Sequence, residues 1–353
     1  MRRTFGYAAE GVTAPLAPFW FDRRDPQRSD VRIEIHYCGV CHSDLHTVRG
    51  EWGEAVYPCV PGHEIVGRVV QCGDDVKRFQ PGDCVGVGCI VDACLACEAC
   101  REGHEQYCNT GMVGTYNSAD RHTGGVTYGG FSKQIVVDER FVLRMSEQLN
   151  PAAAAPLLCA GIATWSPLRH WNVRPGSTIG IVGIGGVGHM GIKLAHALGA
   201  HVVVFTSSAG KVGDAVALGA DEVVISRDTD AMAARGGSLD FVLNTVAASH
   251  NLDPFLHTLR RDGVMALIGA PSHPHPTPSV MQLIARRRSI AGTFIGGIRE
   301  TQEMLDFCAE HGIVSEIELI PIEQVNRAFE RMVLGDVKYR FVLDLTLLAE
   351  HDG

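Results

Sequence analysis

The stretch from Thr178 to Leu198 constrains the fold more than any other part of this 353-residue chain. Thr178 to Val182 is a short apolar run, Gly183-Ile184-Gly185-Gly186-Val187-Gly188 follows at once, and His189 to Leu198 reads as a helix closed by Gly199. A strand, a Gly-x-Gly-x-x-Gly turn and a helix in that order open a βαβ unit, and the crossover helix forces the next strand to run parallel to the first. The alternation continues. His201 to Phe205 reads as a strand, Gly210 to Leu218 as a helix and Glu222 to Ile225 as a third strand, with further short strands at Asp240 to Leu243 and Val264 to Ile268. The expected fold is therefore α/β, with a doubly wound parallel sheet of the Rossmann type.

The first part of the chain has a different character. Val31-Arg32-Ile33-Glu34-Ile35 alternates with period two, as a half-buried strand does, and Ile65 to Val70 and Ile135 to Val137 also read as strands. Turn signals separate them at Pro61-Gly62, Gly73-Asp74, Pro81-Gly82 and Gly129-Gly130. Ala152 to Trp171 looks mainly helical despite Pro156 and Pro167, whereas four prolines exclude regular structure from Pro271 to Pro278. Glu300 to Glu310 reads as a helix and Lys338 to Leu345 as a last strand that returns to the first domain. The expected division is a β-rich domain of residues 1–153 and 297–353 and a sheet domain of 154–296.

A formal charge of −9 argues against a sequence-independent grip on nucleic acid or anionic lipid. Arg286-Arg287-Arg288 is the one basic run of note, and it reads as the solvated end of an element. No signal peptide is visible behind Arg2-Arg3, and no apolar stretch has the length of a membrane span, so the expected compartment is the cytoplasm. In such a compartment, clustered cysteines more often bind metal than form disulfides.

Cys94, Cys97, Cys100 and Cys108 place four thiols in one polar loop, within an irregular lobe of residues 89–110. Four thiolates make a closed, structural zinc site; an iron–sulfur cluster is the competing reading of the same spacing. Cys41, His63 and Cys159 are weak signals singly. Together they supply two thiolates and one imidazole, an open zinc ligand set that leaves one position for a substrate oxygen. A metalloprotease is excluded, because position 67 of the His63-Glu64-x-x motif is glycine.

The glycine turn lets the backbone of Gly183, Ile184, Gly185, Gly186, Val187 and Gly188 approach a pyrophosphate at a helix N-terminus. An NAD site usually carries a carboxylate at the end of the second strand. Here Thr206, Ser207, Ser208 and Lys211 stand there, and hydroxyls with a cation suit the 2′-phosphate of NADP. Ser207-Ser208 also reads as a helix N-cap. Asn244-Thr245 and Gly269 end later strands and face the crevice where such sheets bind ligands.

These residues together resemble the zinc-containing medium-chain alcohol dehydrogenases, and within them the cinnamyl-alcohol-dehydrogenase-like group of NADP-dependent aldehyde reductases, bacterial members above all. The resemblance spans nearly the whole chain. Its sharpest marker is Gly62-His63-Glu64-x-x-Gly67 followed by Gly73 and Val76; Tyr107-Cys108 before Thr115-Tyr116-Asn117 also matches. It implies a GroES-like catalytic domain beside the Rossmann domain. It implies two zinc ions per chain, one on Cys41, His63 and Cys159 with Glu64 able to approach it, and a proton relay through Ser43 and His46, with Glu51 at its end. It also implies NADP(H), a small aldehyde or alcohol as substrate, and a homodimer. Gly114 departs from the Trp that plant cinnamyl enzymes tend to carry there, which favours broad aldehyde specificity over a lignin-type role, and Trp52 is a candidate for the pocket lining. The alternatives are an NAD-dependent polyol or formaldehyde-type dehydrogenase, and a non-catalytic zinc or redox-sensing protein on the same fold.

Overall fold

A computed structural model describes residues 1–348. The last five residues of the expected catalytic segment lie outside the described residues. The chain forms two compact units, Met1–Cys159 with Gly296–Gly353, and Ala160–Ile295.

The first unit is built on a seven-stranded sheet. Along it lie Ile317–Pro321, Arg340–Asp344, Asp30–Val40, Ile65–Cys72, Cys84–Val87 and Leu143–Arg144, with Gln134–Asp138 pairing to Asp30–Val40 off that path. Asp30–Val40 is the longest strand and follows the alternation in the sequence, with Val31, Ile33 and Ile35 buried and Arg32 and Glu34 half-exposed. Its register brings distant residues together. Cys38 lies opposite Ile65, so the turn carrying His63 and Glu64 stands beside the strand end that leads into Cys41. On the other side Phe341 lies opposite Val40, which sets Arg340 beside Cys41. A hairpin of Arg2–Ala8 and Ala17–Arg23, a strand at Ile317–Pro321 and a helix at Val325–Val333 were not anticipated.

The second unit holds a six-stranded, all-parallel sheet in the order Glu222–Ile225, His201–Thr206, Thr178–Val182, Leu239–Asn244, Leu259–Leu267, Ser289–Gly292. In chain order this is 3-2-1-4-5-6, the doubly wound arrangement read from the sequence. Val203, Phe205, Leu239, Val242, Leu256 and Met265 form part of its core. Each such side chain contributes roughly 1.5–3 kcal/mol by leaving water.

One expectation is refined and one corrected. The stretch Ala152 to Trp171 is mainly helical as expected, but it is interrupted at Cys159, whose φ of −129° and ψ of −68° separate a 3₁₀ turn from the helix Ala160–His170. The basic run is not wholly solvated: Arg288 is buried and donates to the carbonyls of Leu259, His257 and Gln282. Those carbonyls let the guanidinium shed water without losing hydrogen bonds.

Candidate metal centres and cofactor cleft

The cysteine lobe is a local structure. A strand pair of Ile90–Asp92 and Val113–Gly114 closes it, and Cys97 leads into the short helix Glu98–Glu102. The sulfurs of Cys94, Cys97, Cys100 and Cys108 all lie within 4.8 Å of one another, and Cys94 and Cys100 are 3.9 Å apart. Tetrahedral zinc with Zn–S bonds near 2.3 Å places its sulfurs about 3.8 Å apart, so the cage fits one ion. An iron–sulfur cluster spreads its thiolates farther than this. The protein also stabilises a thiolate directly. Burial opposes it, yet hydrogen bonds from Thr110 and the backbone bring the Cys108 thiol down to about 6.

The second cluster is assembled from distant parts of the chain. Donor atoms of Cys41, His63, Glu64 and Cys159 all fall within 4.8 Å of one another, and all four residues are buried. Cys41 and Cys159 are free thiols 4.0 Å apart, a spacing that again suits two ligands of one ion. Cys41 stands at the N-terminus of the helix His42–Val48. Asp44 in its first turn is wholly buried and gathers three donors: the Cys41 N–H at 2.9 Å, the Gly62 N–H at 3.0 Å and the His63 Nδ1 at 3.1 Å. With Nδ1 tied to a carboxylate, the imidazole presents Nε2 as its ligand atom.

Charge in the cluster is tuned by burial and by one arginine. Hydrogen bonding with Cys159, and then the Arg340 guanidinium, hold the Cys41 thiol well below its ordinary value; Cys159, keeping the shared proton, lies well above it. Burial works against a charged His63, but the Asp44 carboxylate outweighs it and lifts the imidazole. Burial also pushes the Glu64 carboxyl up to about 7, against the pull of Arg340. Arg340 forms a buried ion pair with Glu64 Oε1 and approaches the Cys41 sulfur at 3.8 Å. Glu64 Oε2 is buried with no hydrogen-bond partner among the described residues and lies against Gly39, where a Cβ would come within 1.8 Å of it. An orphaned carboxylate oxygen beside two thiols and an imidazole is a donor set that fits a divalent cation.

The residues expected to form a proton relay lie on and just beyond the same helix. Ser43 Oγ is 3.5 Å from the Cys41 sulfur, and His46 Nδ1 contacts the Glu51 carboxylate. Trp52 is half-exposed and its ring lies over His46, with centroids 4.8 Å apart. Asp44 and Arg340 were missed by sequence reasoning. The Asp44 signal was available, three residues after Cys41 at the start of a helix; nothing near Arg340 in the sequence marks it.

In the second unit, Gly183 has a φ of +93°, and a Cβ at Gly188 would lie 2.1 Å from the Gly183 carbonyl. The turn is thus tight underneath, while a Cβ at Gly185 would meet nothing within 4 Å, leaving the open cradle a pyrophosphate needs. The Thr245 hydroxyl donates to the Val182 carbonyl at 2.8 Å, bridging the two strands at the switch point of the sheet. Gly269 packs against the Val246 carbonyl. Ser208 precedes a 3₁₀ turn, and its side chain makes no capping hydrogen bond. Lys211 Nζ donates to the Ile184 carbonyl at 2.9 Å, so the cation reaches the glycine turn.

Residues 27–147 match the alcohol dehydrogenase GroES-like domain and residues 186–310 the zinc-binding dehydrogenase domain, and the chain belongs to this family of zinc-binding alcohol dehydrogenases. Among its relatives is the aldehyde reductase YahK of Escherichia coli strain K12, 64% identical over 97% of this chain and 98% of the relative. Two solved structures share the fold over almost their full length. A cinnamyl alcohol dehydrogenase of Sorghum bicolor is 42% identical with a TM-score of 0.96, covering 100% of both chains. One from Helicobacter pylori, complexed with NADP(H), is 38% identical with a TM-score of 0.92, covering 98% of this chain and 99% of the other.

Proposed function

We propose that this protein is a zinc-dependent, NADP(H)-linked alcohol dehydrogenase that reduces a broad range of small aldehydes. The observation that carries the reading is the convergence of Cys41, His63 and Cys159 on one buried point, with Glu64 behind them. Cys41, His63 and Cys159, with Glu64 beside them, would hold the catalytic zinc, and Cys94, Cys97, Cys100 and Cys108 would hold the structural one. When bound, the catalytic zinc supplies Lewis acidity toward a carbonyl oxygen, and the nicotinamide supplies hydride.

The remaining work falls to the chain. Asp44 fixes the orientation of His63 and the entry of the helix His42–Val48. Ser43 holds the proton destined for the product oxygen, and His46 replaces it, steadied by the Glu51 carboxylate. The backbone from Gly183 to Gly188 takes the pyrophosphate, while Thr245 and Gly269 border the crevice. Thr206, Ser207, Ser208 and Lys211 would receive the 2′-phosphate, with Lys211 supplying the cation. An NAD-linked polyol or formaldehyde dehydrogenase calls for a carboxylate at the end of His201–Thr206, where this chain has hydroxyls. We assign catalysis to the unit Met1–Cys159 with Gly296–Gly353, which carries Cys159 and so extends past the boundary expected at residue 153, and cofactor binding to Ala160–Ile295.

The protein acts as a cytoplasmic homodimer in this reading. Among the described residues no single helix is long and apolar enough to cross a membrane. The edge strand Ser289–Gly292 and the exposed Val280, Met281 and Ile284 offer a surface for a second copy.

Benzaldehyde reduction with NADPH and NADH side by side tests the proposal. Charge-assisted bonds to the 2′-phosphate predict a kcat/KM about 10²-fold higher with NADPH. Equal rates with both cofactors would remove the NADP assignment, and no turnover over a broad aldehyde panel with two zincs bound would favour a sensor.

A further inference from the structure

The matched tripeptide Thr115-Tyr116-Asn117 plays no part in the mechanism above, yet it runs through the catalytic cluster. It follows directly on the strand Val113–Gly114 that closes the cysteine lobe. Thr115 N–H donates to the Cys89 carbonyl at 3.2 Å, and its hydroxyl donates to the Gly88 carbonyl. Asn117 Oδ1 accepts from the Val56 N–H at 3.0 Å, and Asn117 N–H donates to the Thr127 carbonyl at 2.8 Å. Both neighbours of Tyr116 are therefore tied down. Between them its ring is presented to His63, with centroids 5.7 Å apart and planes 33° apart. Its hydroxyl reaches the Thr47 hydroxyl at 3.4 Å.

His63 needs such a neighbour. Its Nδ1 is held by Asp44 Oδ1 at 3.1 Å, and the packing around the ring sets how far the imidazole can swing about that bond. The Tyr116 ring packs beside the imidazole at a 33° inclination and limits how far it can swing toward that side. The helix His42–Val48 sets both restraints, since Asp44 holds the imidazole Nδ1 and Thr47 receives the hydroxyl of the tyrosine beside it. The 3.4 Å hydroxyl contact is long, so the ring carries most of the effect.

We propose that Tyr116 is a positioning residue for the metal ligand His63, its ring fixing the tilt of the imidazole and so the retention of the catalytic metal. This rests on the reading that His63 holds that metal. Residues that orient a metal-bound histidine typically govern metal affinity over ~10–100-fold.

The test follows zinc released from the purified two-zinc protein to 4-(2-pyridylazo)resorcinol, together with kcat and KM for benzaldehyde. Tyr116→Leu is expected to speed release of one zinc equivalent by about 10-fold or more and to lower kcat more than it raises KM, leaving the other equivalent unchanged. Tyr116→Phe, which keeps the ring, should restore release to within about 2-fold of the parent. Tyr116→Met removes the ring with a different side chain and takes the place of the leucine variant if that one does not fold. Release unchanged in a folded ringless variant overturns the proposal, as does release from Tyr116→Phe as fast as from Tyr116→Leu. His63→Ala separates the two ideas: if it still binds two zincs, the catalytic-metal reading itself fails.

Discussion

The two metal clusters solve one problem by opposite routes. The lobe draws all its sulfurs from Cys94 to Cys108, a single loop with partly exposed members, and its geometry is a property of that loop. The buried cluster draws on Cys41, His63, Glu64 and Cys159, and its geometry is a property of the sheet. Strand register sets His63 beside Cys41, and the break between helices exposes Cys159 to both. The first needs only a short chain and an ion. The second needs most of a domain to be folded before any ligand is in place. A local thiolate cage is suited to holding structure together, whereas a cluster built on a rigid frame keeps donors of mixed kind and a carboxylate oxygen without a partner among the described residues.

The contrast predicts separable effects. Cys41→Ala should cost the most: several kcal/mol of Lewis-acid stabilisation corresponds to a fall in kcat of about 10³-fold or more, with one zinc lost and the melting temperature changed by only a few degrees. Retention of full activity with benzaldehyde would break the division. Cys97→Ala should show the reverse pattern. The loss of one lobe ligand should release the other zinc and lower the melting temperature by roughly 5 °C or more, with kcat reduced less than about 10-fold. A larger loss of kcat than of stability would mean that the lobe acts on the chemistry. Lys211→Ala should raise KM for NADPH by about 10-fold with little change for NADH, leaving both zinc counts at their parental values.

The smallest effect should leave both clusters untouched. Burial opposes ionisation of Asp138, but hydrogen bonds from Arg140 and Ser29 win and hold its carboxyl below the ordinary 3.8. A depressed carboxyl stabilises the fold above its unfolded value, and that stabilisation is lost as pH falls through the folded value. Asp138→Asn should therefore cost about 1–2 kcal/mol at pH 7, and the difference from the parent should shrink on acidification below pH 3.8. Zinc content at pH 7 should not change. Zinc loss in this variant would show that any destabilisation empties the sites, and the lobe result would lose its meaning.

The same contrast explains what was legible in the sequence. The lobe and the glycine turn announce themselves because their function depends on spacing within a few residues. The parallel sheet was readable for the same reason: Thr178–Val182 and Glu222–Ile225 are bounded by glycines and turns and coincide with the observed strands. The convergence of Cys41, His63 and Cys159 could be reached only through the family pattern, since no local rule links position 41 to position 159. Arg340 lay beyond reach. Its partner Glu64 is 276 residues away and is met only through the pairing of Phe341 with Val40. The hairpin Arg2–Ala8 with Ala17–Arg23 escaped notice because prolines and aromatics blur its alternation, and the strand Ser289–Gly292 because it is short and follows three arginines.

The compactness of the lobe also sets an order of events during synthesis. During vectorial synthesis Cys108 emerges well before Cys159, and the strand bearing Arg340 follows long after both. The lobe can capture its ion as soon as its own loop is complete, whereas the buried cluster reaches its finished form only once that later strand has paired beside Cys41.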